Sequence, residues 1–83
     1  MSYTLYTKQN CGACDEAKNL LNSKGIPYYE VLIDVGQERD PNKKYATVAE
    51  LLQLVPNART VPQIFKNGAH IGGLDALRSS VNP

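Results

Sequence analysis

Tyr3-Thr4-Leu5-Tyr6-Thr7-Lys8-Gln9-Asn10-Cys11-Gly12-Ala13-Cys14-Asp15-Glu16-Ala17 is the stretch whose reading decides the fold. Its first residues, aromatic, Thr and Leu, suit a pleated surface, so Tyr3 to Tyr6 is predicted as a short strand. Thr7 to Asn10 is polar and reads as a loop. Beyond it Ala17, Leu20 and Leu21 recur at helical spacing, with Asp15, Glu16, Lys18, Asn19 and Asn22 on the other face. An amphipathic helix therefore starts at or just after the two cysteines. Gly25 is placed to end it in a left-handed conformation, and Pro27 blocks its continuation.

Tyr28 to Ile33 follows as a largely apolar, β-rich run, which suits a strand covered on both faces. Strand, helix, strand in this order predicts a right-handed βαβ unit with parallel strands. From Asp34 to Lys44 the residues are polar, with turn signals at Gly36, Asp40, Pro41 and Asn42, and a surface loop is expected. Tyr45, Val48, Leu51, Leu52 and Val55 then form a helical apolar stripe. Its start is open between Asp40-Pro41 as cap and first turn and a Thr47–Glu50 capping box. Pro56 and Asn57 end that helix. Val61 to Phe65 reads as a strand, and Asn67-Gly68 is a strong hairpin signal, pairing Gln63 to Lys66 with Ala69 to Ile71. Gly72-Gly73 leads into a last helix with Leu74, Leu77 and Val81 inward.

The chain has 83 residues, enough for one compact domain spanning 1–83 and too few for two. Lys plus Arg number 9 against 8 for Asp plus Glu, so the charge balance supplies no footprint for nucleic acid. No apolar run is long enough to cross a bilayer, and the first residues show no cationic segment followed by an apolar one. A soluble protein that stays where it is made, with no membrane partner, is expected.

Both cysteines lie in Cys11-Gly12-Ala13-Cys14, and a bond between them would close too short a loop to staple a scaffold. That favours chemistry over framework, and a reducing compartment, the cytoplasm. At a helix start, unpaired amides and the helix dipole put partial positive charge beside Cys11, which stabilises its thiolate; Lys8 adds to this. Cys14, one turn on, can attack a mixed disulfide on Cys11. The competing readings are two small buried side chains or half of a zinc site. Structural zinc usually needs four protein ligands, and His70 is the one further soft ligand in the sequence, so no metal site is expected.

The sequence resembles a glutaredoxin in three segments that occur in family order: Tyr6-Thr7-Lys8 leading into Cys11-Gly12-Ala13-Cys14, then Thr60-Val61-Pro62-Gln63-Ile64-Phe65, then His70-Ile71-Gly72-Gly73-Leu74-Asp75. The resemblance implies an α/β, thioredoxin-like fold, a four-stranded mixed sheet flanked by three helices, with a cis peptide between Val61 and Pro62 beside the cysteines. It implies a dithiol thiol-disulfide oxidoreductase with Cys11 as nucleophile and Cys14 as resolving thiol, glutathione as reductant and no permanently bound cofactor. The cysteine of glutathione would pair with the backbone of Val61, beside Thr60 and Pro62. Its γ-glutamyl end would meet Leu74 and Asp75, and its glycine carboxylate Lys8. Disulfide-containing proteins would be substrates, ribonucleotide reductase among them, and the protein would act as a monomer.

Taken alone, several of these residues have plainer readings. Val61, Ile64 and Phe65 would be apolar in any buried strand, Asp75 suits the first turn of any helix, Lys8 suits any surface, and His70 points outward from a hairpin. Gly12 and Ala13 stand where many dithiol relatives have Pro and Tyr, and Ala76 where many have a second acid. These departures admit two rivals: a redoxin recharged by thioredoxin reductase, and an iron-sulfur carrier bridged by glutathione. Arg39, Lys43, Lys44 and Arg59 are cations without an assigned role.

Overall fold

The structure, a computed structural model, describes Ser2 to Asn82. Eight elements follow in order: β1 (Tyr3–Thr7), α1 (Gly12–Ser23), β2 (Tyr28–Ile33), β3 (Lys44–Ala46), α2 (Val48–Leu54), β4 (Gln63–Lys66), β5 (Ala69–Gly72) and α3 (Leu74–Val81). The strands form one mixed sheet in the order β3-β2-β1-β4-β5. β1 runs parallel to β2 and antiparallel to β4, and β5 closes an antiparallel hairpin on β4.

The sheet therefore has five strands where four were expected. The added one, β3, pairs parallel with β2 at the edge, setting Leu32 opposite Tyr45 and Ile33 opposite Ala46. Tyr45 belongs to this strand and not to the helix stripe it matched by spacing; a three-residue strand is too short for an alternating pattern to show. α2 accordingly starts late. Thr47 accepts from the Glu50 amide at 3.0 Å while Glu50 accepts from the Thr47 amide at 3.1 Å, so the capping box, not Asp40-Pro41, opens the helix.

Strand alternation divides the core in two. Tyr3, Leu5 and Ile64 point to the side covered by α1 and α3, where Ala17, Leu21 and Leu77 complete a fully buried cluster. Ile33 and Phe65 point to the other side and meet Leu51 and Val55 of α2, with Tyr6, Ala58 and Val61 at the margin. α2 has seven residues, a length of about 10 Å, and cannot cover that whole face. Hence Tyr29 of β2 is exposed, and the expectation of a strand covered on both faces fails at that end.

The turns follow their residues. Asn67 and Gly68 both have positive φ, 53° and 83°, as a two-residue hairpin of this twist requires. Gly25 takes φ 67° just after α1 ends at its cap Lys24. Among the described residues no helix is long and apolar enough to cross a membrane.

Candidate active site

β1 delivers the chain to the site and a left-handed turn aims it. Asn10, with φ 56°, is one of the few side chains that tolerate this conformation. The next residue, Cys11, is extended and caps α1, and its carbonyl accepts the Asp15 amide at 3.0 Å. Its sulfur accepts the amide of Cys14 at 3.2 Å and lies 3.8 Å from the carbonyl oxygen of Val61. A donor aimed at the sulfur supplies partial positive charge where a thiolate would sit. The Val61–Pro62 peptide is cis, as the resemblance implies.

The two thiols sit in different surroundings. Cys11 retains 9% of its surface and Cys14 none. Both are free thiols. Burial pushes Cys14 from 9.0 up to about 12; the hydrogen bond and charge of Cys11 add to the rise, while the Lys8 amide and the Lys18 cation oppose it. In the dithiol state Cys14 is therefore a protonated thiol near neutral pH.

Val61, whose carbonyl faces the Cys11 sulfur, also lines a groove of about 190 Å³ together with Lys8, Arg59 and Thr60 and with Val48 and Leu52 of α2. Lys8 and the Thr60-Val61 pair, far apart in the chain, are thus neighbours in space. Thr60 is exposed, and its carbonyl accepts from the buried Gln63 amide group at 2.8 Å. On the far side of Pro62, a Cβ added to Gly73 would stand 3.5 Å from the Pro62 carbonyl oxygen, so the start of α3 abuts this loop. Leu74 and Asp75 are the first two residues of that helix. The partly buried Leu74 side chain packs against the α1–α3 core. Asp75 points into solvent and pairs with Arg78 at 3.3 Å.

Three features lay outside the sequence reading. Arg59, left without a role, stands beside Lys8 in the groove; its place directly before Thr60-Val61-Pro62 was the available signal. His70, outward as expected, also meets the Gln63 side-chain oxygen at 2.8 Å and thereby braces the β4 entrance. Between β1, β2 and α1, Glu30 accepts from the Thr7 hydroxyl at 2.7 Å and from Lys18 at 3.0 Å. Burial pushes the Glu30 carboxyl up, but the Thr7 hydroxyl and Lys18 together outweigh it and hold the group below its ordinary value. Burial likewise works against the Lys18 cation, and Glu30 more than restores it. A carboxylate inside the apolar Tyr28–Ile33 run was the sequence sign of this half-buried pair. Among the described residues no cluster of three or more His, Cys, Asp or Glu side chains could hold a metal ion.

The glutaredoxin family model matches residues 3–71. Glutaredoxin 3 of Escherichia coli K12 is 37% identical over 75 residues, covering 88% of this chain and 77% of that protein. A hybrid peroxiredoxin, hyPrx5, of Haemophilus influenzae is 37% identical over 76 residues; the chain spans only 27% of its length. Among solved structures, glutaredoxin 1 from Francisella tularensis complexed with cacodylate superposes with a TM-score of 0.71 at 26% identity, covering 95% of this chain and 90% of that one. A buckwheat glutaredoxin–glutathione complex superposes with a TM-score of 0.69 at 36% identity, covering 94% and 66% respectively. The cysteine pair at a helix start, the loop that faces it and these likenesses agree: the chain belongs to the glutaredoxin family, thiol-disulfide oxidoreductases of the thioredoxin-like superfamily.

Proposed function

We propose that this chain, acting as one cytoplasmic domain and as a monomer, is a glutathione-dependent dithiol glutaredoxin in which Cys11 is the nucleophile and Cys14 the resolving thiol. The observation that carries the reading is the setting of the Cys11 sulfur, which takes the Cys14 amide and faces the Val61 carbonyl, in a residue that keeps 9% of its surface. The Cys11 thiolate attacks one sulfur of a substrate disulfide, forms a mixed disulfide and releases the other sulfur as a thiolate. Cys14 then loses its proton and attacks the Cys11 sulfur, releasing the second substrate thiolate and leaving a Cys11–Cys14 disulfide. One glutathione thiolate reopens that bond to give a glutathione-mixed disulfide on Cys11; a second removes it as glutathione disulfide.

The proposed placement gives glutathione one direction. Its cysteine would lie along the backbone of Val61 between Thr60 and Pro62, its γ-glutamyl end at the start of α3 with the main chain of Leu74 and with Asp75, and its glycine carboxylate at Lys8. The bound tripeptide in the related buckwheat structure supports glutathione as the ligand class. Protein disulfides and glutathione-mixed disulfides are the substrates; by resemblance to the family, ribonucleotide reductase, which needs a dithiol donor, is one client. The test couples the oxidised protein to NADPH either through glutathione and glutathione reductase or through thioredoxin reductase. Turnover in the first system is expected. Turnover in the second alone would overturn glutathione as the reductant.

A further inference from the structure

The aliphatic part of the groove has no assigned role in that reaction, and its surface is unusual. Val35, Val48 and Leu52 line it and retain 65%, 50% and 39% of their surface. Single exposed aliphatic side chains are ordinary, but three converging in one concavity mark a binding surface. Val48 and Leu52 are one helical turn apart on α2 and so share a face. Lys8 and Arg59 also line the groove, and among the described residues no carboxylate does. At about 190 Å³ the concavity is below the ~300 Å³ at which small-molecule pockets usually begin, and it matches one or two side chains of a bound chain.

We propose that this groove docks an extended segment of a disulfide client, taking an aliphatic side chain that follows the client's cysteine by two residues and an acidic side chain next to it. The inference rests on the proposed orientation of glutathione and continues it. A client whose cysteine sulfur is bonded to Cys11 would lie along Val61 as the tripeptide does. Its next residue then takes the place of glycine at Lys8. The chain advances about 3.3 Å per residue, so the second residue enters the aliphatic end of the groove. Val61 lines the groove itself, which makes the surface continuous with the site of the chemistry. Lys8 and Arg59 at the rim complement an acidic neighbour and exclude a basic one.

The experiment uses the reduced protein and two disulfide-linked peptide homodimers, Gly-Cys-Gly-Leu-Glu and Gly-Cys-Gly-Ser-Lys, with bis(2-hydroxyethyl) disulfide as a substrate that has nothing to place in the groove. In each reaction the dithiol becomes the Cys11–Cys14 disulfide and one substrate disulfide becomes two thiols. The Leu-Glu peptide should be reduced about tenfold faster in second-order rate, in line with burial of one Leu side chain. A double variant, Val48→Ser with Leu52→Ser, should lose the aliphatic share of that preference, retain the share set by Lys8 and Arg59, and keep its rate with hydroxyethyl disulfide. Equal rates for the two peptides, or a preference undiminished in the double variant, would overturn the proposal. A concentration-dependent dimer abolished by the same variant would assign the groove to a second copy of the chain and also overturn it. Failure of the parent protein to reduce hydroxyethyl disulfide would instead sink the dithiol chemistry, with the docking surface falling as its consequence.

Discussion

The two sides of the sheet differ in how completely they are closed. On the α1–α3 side Tyr3, Leu5, Ala17, Leu21, Ile64 and Leu77 are sealed, Cys14 and Thr7 are sealed as well, and the half-buried Glu30–Lys18 pair lies against Thr7. On the α2 side a helix of seven residues leaves Val48 and Leu52 in solvent and a groove open beside Val61. Cys11 stands at the border between them. The difference teaches a division of labour: the sealed side fixes where the sulfurs are held and keeps one of them protonated, and the open side is the one on which the proposed docking of the reacting partner takes place.

The largest expected effect tests the border itself. Cys11→Ser should abolish all turnover, whereas Cys14→Ser should keep removal of glutathione from mixed disulfides and lose reduction of protein disulfides, each read by initial rates on the two substrate types. Comparable activity of the Cys11 variant and the parent would put the chemistry elsewhere. The next contrast sets one side against the other. Leu21→Ala should cost about 2–5 kcal/mol, because the sealed side cannot collapse around the cavity, and Leu52→Ala should stay within about 0.5 kcal/mol. Urea midpoints at unchanged m-values measure both; equal losses would mean that the α2 side is closed in solution.

Two smaller effects follow from protonation on the sealed side. The folded Cys14 thiol titrates at about 12 against 9.0 for an ordinary one, so between these values the unfolded chain binds fewer protons and stability falls as the pH rises. Cys14→Ala should therefore flatten the alkaline part of the stability profile relative to the parent. For Glu30 the sign is reversed. Its carboxyl is held below 4.5, so its contribution is present above that pH and is lost as the pH falls through the depressed folded value. Glu30→Gln should lower stability at neutral pH, leaving Lys18 without its anion, and show a shallower loss in acid. Parallel acid profiles for parent and variant would remove the network from the account.

Much of this molecule was readable from residue order. The bounds of β2 agree with the predicted Tyr28 to Ile33, and Asn67-Gly68 turned the hairpin where expected. These signals are local: alternation, turn residues and caps act within a few positions. Thr47 illustrates the limit, since two N-termini competed for α2 and the pairing of Lys44–Ala46 with β2 withdrew Asp40-Pro41 from the contest. β3 itself was illegible because an edge strand of three residues has no pattern of its own and exists only by its neighbour's hydrogen bonds. The same limit hid Glu30, whose partners Thr7 and Lys18 come from two other elements.

By itself the sequence determined the elements, the family motifs and the two sulfurs at a helix start, because each depends on residues within about one turn or one hairpin of one another. Only the tertiary structure decided that Lys8, Arg59, Thr60 and Val61 share a groove, that Cys14 is sealed while Cys11 is not, and that one side of the sheet stays open. Those outcomes depend on how far each helix reaches across the sheet, which is set when all the elements pack together.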